Sequence, residues 1–324
     1  MKRRALIVSA GAGLVLAIAG ALAQQRTRLW RVGYLASVPR QREFDVFREA
    51  MRGLGYVEGR DVAYERRVTH GANPPLAGLA AELLELKIDI FVTFGTPATQ
   101  AAQKATTKVP IVMVYTGDPV GSGLVSSLAH PGGNITGVAN LNIEINAKRI
   151  DLLVQTIPKL SRLAALLNPS NATYQANVDG FKAAAQRARL TLLPFTATTL
   201  GEIERAFSAM RQQKAEAVVG HIDSLFSSYA REIGGLATRF GLPLIGHREM
   251  VKYGALMSYE PDVPGHFVRA AGYVDRILKG ANPAELPVEQ PTKFDLTVSL
   301  KAAKALGITI PREVLLLADE VVQQ

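Results

Sequence analysis

Not one cysteine occurs among the 324 residues of the chain. That excludes disulfides, thiol nucleophiles and cysteine-ligated metal centres. It equally excludes a lipid anchor on an N-terminal cysteine. Aromatic residues are sparse, with Trp30 the single tryptophan, and they do not interleave with basic runs. No block of five or six like charges occurs either. These two gaps exclude nucleic acid as a partner.

Histidine is scarce as well. His70, His130, His221, His247 and His266 show no metal-ligand spacing such as H-E-x-x-H. There is no G-x-S-x-G elbow and no P-loop. The stretch "GDPVGSGLV" lacks the third glycine of a dinucleotide fingerprint and follows the fourth predicted strand, not the first. "GHRE" at 246–249 offers an acid–base pair, but reads better as a helix cap or salt bridge. No metal, cofactor or enzymatic activity is expected.

What is present begins with an unusual N-terminus. "MKRR" is followed by an apolar run from Ala5 to Leu22, then by the small-x-small triplet Ala21-Leu22-Ala23. That pattern predicts a secretory signal peptide over residues 1–23, and hence a periplasmic protein without a lipid anchor. No other stretch is long and apolar enough to span a bilayer. Three of the 37 basic residues, Lys2, Arg3 and Arg4, lie in that segment, which leaves 34 against 28 acidic ones. The remaining positive surface is mild and scattered, and suits docking on an acidic partner.

Beyond the signal, strands and helices alternate. "RVGYLA" reads as a strand, and Phe44, Phe47, Met51 and Leu54 recur at helical spacing. "VAYERRV", "IDIFVTF", "IVMVY" and "NITGVAN" are further strands, with a short helix expected near Val120. The second half repeats the order with "RLAALLN", "LTLLPFT", "AEAVVGH" and "LPLIGH". One helix is read from Phe226 through Phe240. Strict alternation predicts parallel sheets covered on both faces. "KIDIFVTFGTP" and "KAEAVVGHIDS" match in pattern, which suggests two lobes of the same topology. The expected division is 27–140 plus 262–287 for one lobe and 141–261 plus 288–324 for the other. Crossovers are expected near 140–142, near 261–264 and along "PVEQPTKFDLTV", whose prolines favour an extended connector over a central strand.

Ligands in open parallel sheets bind beyond the C-terminal strand ends. Five such ends carry small polar residues: Ser37, "FGTP" with Thr96, Thr116 with Asp118, "NPSN" with Asn168, and "HIDS" with Asp223. A helix N-terminus behind Thr96 suits a carboxylate. Asp118 or Asp223 suits an ammonium. Together they suit a zwitterion such as an amino acid, with Tyr34, Tyr174 and Phe226 as apolar walls. Plainer roles stand beside these. Thr96, Asn171 and Asp223 also fit as helix caps, Asp118-Pro119 as a turn, and Tyr34 as core.

The stretches "GTPATQAA", "PIVMVYTGDPVGSGLVSSLAHPGGNITGV", "LLNPSN", "YGALMSYEPD" and "LPVEQPTKFDLTVSLKAAKALGITIP" resemble the ABC-transporter substrate-binding family of type I periplasmic binding proteins, which includes tryptophan- and tyrosine-receptor-like members. The resemblance implies an α/β fold of two Rossmann-like lobes with parallel sheets joined by three hinge crossovers. It implies capture of a small, amino-acid-like and possibly aromatic solute by hinge closure and its delivery to an ABC permease in the inner membrane; a monomer is expected. One departure stands out. Where relatives have Asp-Pro followed by aromatics, this chain has "IDSLF", so ligand preference is expected to differ. The ligand-binding set expected is Ser37, Thr96, Thr116, Asp118, Asn168, Tyr174 and Asp223. A ligand-sensing subunit for a membrane signalling partner, or an exported enzyme using the same cleft, are the alternatives.

Overall fold

The computed structural model describes residues 28–69, 75–140 and 145–323. The expected signal segment, His70 and residues 141–142 of the first crossover lie outside the described residues. No helix among the described residues is long and apolar enough to cross a membrane.

The first sheet has five strands: β1 (Trp30–Ala36), β2 (Val62–Val68), β3 (Ile90–Phe94), β4 (Ile111–Gly117) and β5 (Ile135–Asn140). They pair in the order β2-β1-β3-β4-β5, parallel throughout. Strands β3, β4 and β5 are buried along their whole length, as their unbroken apolar runs require in a sheet covered on both faces. β1 shows the two faces directly. Val32, Tyr34 and Ala36 enter one core, and Leu35 enters the other. Helices α1 (Gln41–Gly53), α2 (Leu76–Glu85) and α3 (Thr96–Ala105) cover the sheet. α1 buries Phe44, Phe47 and Met51, one stripe at helical spacing.

The second sheet has seven strands: β6 (Arg162–Leu167), β7 (Thr191–Thr196), β8 (Ala217–Gly220), β9 (Leu244–Gly246), β10 (Met257–Pro261), β11 (Phe294–Ser299) and β12 (Glu320–Val322). Their order is β12-β11-β10-β9-β8-β6-β7. Helices α4 (Asn146–Thr156), α5 (Tyr174–Arg187), α6 (Leu200–Gln212), α7 (Ser224–Ser228), α8 (Ala230–Phe240) and α9 (Arg248–Val251) belong to this half. The first five strands of each half therefore follow one order, since β7-β6-β8-β9-β10 repeats β2-β1-β3-β4-β5.

The matched sequence stretches occupy equivalent places. Lys87 and Lys214 each end a helix in the left-handed conformation, at φ 55° and 57°. Asp89 and Glu216 then each accept main-chain N–H groups at the start of the neighbouring strand. Asp89 takes Arg31 N–H at 2.8 Å, and Glu216 takes Ser161 and Arg162 N–H at 2.6 and 3.0 Å.

After β10 the chain returns to the first half. Helix α10 (Val263–Leu278) packs on α1, β4 and β5. The connector that follows runs beside β5, where Glu289 N–H donates to Gly137 O at 2.9 Å. Gly137 is obligatory there: at φ 131° an added Cβ would stand 2.2 Å from Met113 O. Pro287 and Pro291 keep to this extended stretch, as read. The rest of "PVEQPTKFDLTV" does not. Phe294–Ser299 is strand β11, paired with β10 and β12, because past the prolines it has an unbroken set of N–H groups, and it is buried from Asp295 to Ser299.

Three further differences have local causes. The β10–β11 pair is antiparallel, the one exception to parallel pairing among the described strands. The helix expected near Val120 is a chain of turns. Asp118 Oδ1 accepts Gly121 N–H at 2.9 Å, and Gly123 turns left-handed two residues later. The single helix read from Phe226 to Phe240 is two, α7 and α8, parted at Tyr229. Helices α11 (Leu300–Ala305) and α12 (Arg312–Leu317) complete the C-terminal part.

Candidate functional site

The C-terminal ends of the two sheets face each other, and their loops meet. Ser37 Oγ lies 2.8 Å from Ser224 Oγ, and Arg40 Nη2 donates to Ser227 Oγ at 3.1 Å. Ile222, from the loop after β8, is buried within the core cluster of the opposite half, beside Val38 and Phe94. Gly95 makes this approach possible. A Cβ there would come within 2.9 Å of Ser224 Oγ and 3.0 Å of Ser37 Oγ. The lobes are closed on each other, and the cleft between them keeps about 20 Å³ of free volume, room for about one water. A wider groove of about 850 Å³ flanks it and shares Val38, Arg40 and Ser227 with it.

Asp223 is the acid of this cleft. It is 4% exposed and caps α7, with Oδ1 accepting Leu225 N–H at 2.8 Å. Asn168 Nδ2 donates to the same oxygen at 3.1 Å, and Asn171 Nδ2 donates to Oδ2. All three donors are neutral, and no Lys, Arg or His side chain forms an ion pair with Asp223 among the described residues. A buried carboxylate held only by neutral donors remains an acceptor for a cation. Its backbone is held by His247. Asp223 N–H donates to Nε2 at 3.0 Å, and the same nitrogen lies 2.9 Å from Asp223 O.

The first half supplies the opposite charge. Arg40 is the one Lys or Arg lining the inner cleft among the described residues. It is 8% exposed, its guanidinium lies 5.3 Å from the Phe94 ring centroid, and its nearest carboxylate is Glu43 at 3.6 Å. Phe94 stacks on Tyr115 at 5.4 Å and 11°. Tyr115 reaches that position through a strained backbone. Its φ is 60°, and the β4–β5 register shifts between Val114 and Thr116. Burial raises the Tyr115 hydroxyl well above the ordinary phenol range, with the Glu260 charge adding to it.

Behind the cleft lie more buried ionisable groups. Burial lowers His221 to about 4, against the opposing charge of Asp223. Burial also lowers Arg149, on α4, to about 10, although Nη2 donates to Ile245 O at 3.1 Å. Burial pushes the Glu260 carboxyl up, but His247, Arg40 and the Arg248 N–H outweigh it and leave Glu260 lowered.

The residues expected at the site divide. Ser37, Thr96, Asn168 and Asp223 come together at the cleft. Thr96 Oγ1 accepts Gly117 N–H at 3.1 Å, and Gly95, Thr96 and Pro97 at the α3 N-terminus line the same space. Thr116 lies beneath the cleft, fully buried, in a hydroxyl chain with Thr99 and Thr93. Asp118 turns its carboxylate to Gly121 instead of the cleft. Tyr174 packs partly buried on the second-half core. Tyr34 is wholly buried core. Sequence reading missed Arg40, Tyr115, Thr173 and His247 as cleft residues. "GHRE" was the available signal for His247. Arg40 follows a strand end, but nothing in "SVPRQ" shows that it reaches the other half.

A family described as ABC transporter substrate binding protein matches residues 39–322. A tyrosine-binding protein of Clostridioides difficile is 26% identical over 264 residues, 81% of this chain and 75% of that one. The structure of an ABC domain in complex with L-Trp from Streptococcus pneumoniae is 28% identical with a TM-score of 0.84. A conserved domain protein of Vibrio cholerae is 26% identical at the same TM-score. Both alignments cover 91% of this chain and 100% of the other. The fold is that of type I periplasmic binding proteins. The chain belongs to the family of ABC transporter substrate binding proteins.

Proposed function

We propose that this protein is an exported, periplasmic receptor of an ABC import system, and that it captures an amino-acid-like zwitterion between its lobes. The observation that carries the reading is the charge of the cleft. One buried carboxylate, Asp223, has neutral donors only, and one buried guanidinium, Arg40, faces the same space from the other half. Asp223 takes the ammonium. Arg40 and the N-terminus of α3 take the carboxylate. The stacked Phe94 and Tyr115 rings form an apolar wall suited to an aromatic side chain. The L-Trp complex and the tyrosine-binding relative make those two amino acids the first to try.

With about 20 Å³ between the closed lobes, an amino acid enters only when they part. The lobes we assign are 27–140 with 262–287 and 141–261 with 288–324, each rotating as a unit about the three connecting segments in a single monomer. Contacts from both sides then favour reclosure around the ligand, to a state less tightly shut than the ligand-free one. Isothermal titration calorimetry with L-tyrosine and L-tryptophan tests this. Asp223→Ala and Arg40→Ala are each expected to weaken binding by about tenfold or more, as for truncating one partner of a buried charged hydrogen bond. Wild-type affinity in both variants would remove the zwitterion reading. Recovery of the ligand unchanged from the complex is expected of a receptor, and its chemical conversion would refute this role.

A further inference from the structure

The main chain of Asp223 has two polar partners: its carbonyl accepts Ser227 N–H at 3.0 Å, and the other partner is a ring. Both its N–H and its carbonyl oxygen meet Nε2 of His247, at 3.0 and 2.9 Å. The ring is 2% exposed. Its other nitrogen, Nδ1, stands 3.5 Å from Glu260 Oε2. Both of those atoms are buried and lack a hydrogen bond of ordinary geometry, as does the Tyr115 hydroxyl, which also interacts with Glu260. Glu260 Oε1 is fixed by Arg248 N–H at 3.3 Å. Glu260 is the penultimate residue of β10, just before the chain leaves the second sheet for α10. His221, Arg149, Tyr115 and Arg40 are the other ionisable groups around this line.

The two contacts at Nε2 need opposite tautomers; because the Asp223 carbonyl already accepts Ser227 N–H and a carboxylate stands behind Nδ1, the imidazole proton is assigned to Nδ1, toward Glu260, and Nε2 accepts from Asp223 N–H. A carboxylate behind a histidine selects that tautomer and orients the ring. We infer that His247 is a positioning residue for Asp223, backed by Glu260: it holds the loop after β8 so that the Asp223 carboxylate meets a ligand ammonium, and it ties that placement to the strand from which the chain crosses between lobes. The inference rests on the reading of Asp223 as the ammonium acceptor.

The test compares amino acids with partners that lack the ammonium. L-tyrosine and L-tryptophan are titrated into the protein beside 3-(4-hydroxyphenyl)propionate and indole-3-propionate. The wild type is expected to prefer the amino acid by about tenfold or more. His247→Phe, of similar volume and without ring nitrogens, is expected to erase most of that preference. Amino-acid Kd should rise about tenfold while the desamino Kd moves by less than about threefold. His247→Gln, whose amide accepts from Asp223 N–H and donates to Glu260, should restore the preference to within about threefold of wild type. Equal weakening of both probe classes in His247→Phe means a structural role only and overturns the inference, as does no change in either. Should His247→Phe not fold, Glu260→Gln carries the test. Its amide donor disfavours the Nδ1–H tautomer, so the preference should fall by about threefold or more, and an undiminished preference overturns the inference. A wild type with no preference for the amino acid, or with no binding of any probe, overturns the zwitterion reading itself, a failure visible before any variant is made.

Discussion

Tyr115 sits in a conformation that its own type avoids. A left-handed φ costs a residue with a Cβ about 1–2 kcal/mol, and the register shift beside it shows where the strand gives way. The return on that strain is a ring turned onto Phe94 at the cleft. A direct check follows from the backbone. In an ordinary strand alanine is favoured over glycine by about 0.5–1 kcal/mol. At position 115 the order should vanish or invert, so Tyr115→Gly should be at least as stable as Tyr115→Ala in urea denaturation. An alanine advantage of ordinary size would contradict the strained geometry. Both variants should bind aromatic amino acids more weakly, since both lose the wall. This residue also marks a limit of reading sequence. Ser37, Thr96, Asn168 and Asp223 were legible because each follows a regular strand, and the strand-end rule needs nothing else. Tyr115 was illegible because a bulge reversed its facing, and no local pattern in "IVMVYTG" announces one. Arg40 and His247 were illegible for another reason, since their partners come from distant segments.

The two halves repeat each other most clearly where helix gives way to strand. Lys87 and Lys214 both close a helix at positive φ, a position where glycine is preferred, and Arg189 does the same before β7. Lys87→Gly and Lys214→Gly should each raise stability by about 0.5–1 kcal/mol, and the pair should be additive because the sites belong to separate sheets. Chemical denaturation of the single and double variants measures both effects. A loss of stability in either would mean that the lysine side chain contributes more than its backbone costs. The repeat was visible as matched letters, and the shared strand order makes it one of topology. Other elements were less visible. "FDLTVS" was grouped with the prolines before it, and β10 and β12 were not read as strands. β12 pairs with β11 and β10 pairs with both β9 and β11; β11 returns from the other half after α10, and long-range pairing of that kind leaves little local trace.

Across the whole molecule the buried histidines set an acid limit. Burial holds His221 and His266 near 4, below the ordinary imidazole value of 6.5. Between those values the unfolded chain binds protons at both sites and the folded chain does not. Stability therefore rises with pH across that window, and falls as pH drops from about 6.5 toward 4, by on the order of 3 kcal/mol for each histidine at most. Melting temperatures measured from pH 7 to 4 should decline accordingly. His266→Phe, which keeps a ring packed at a tilt against Tyr115 at a position without hydrogen-bond partners, should flatten the decline. An unchanged slope in that variant would place the acid sensitivity elsewhere.

Ile222 has a consequence for timing. Its side chain leaves its own half to lie among the apolar residues of the other, and wetting an isoleucine costs about 1.5–3 kcal/mol. Swinging the halves apart is thus an uphill fluctuation and not free drift. Under the proposed opening, the frequency of that fluctuation, more than the frequency of molecular collisions, would govern how quickly a solute is admitted.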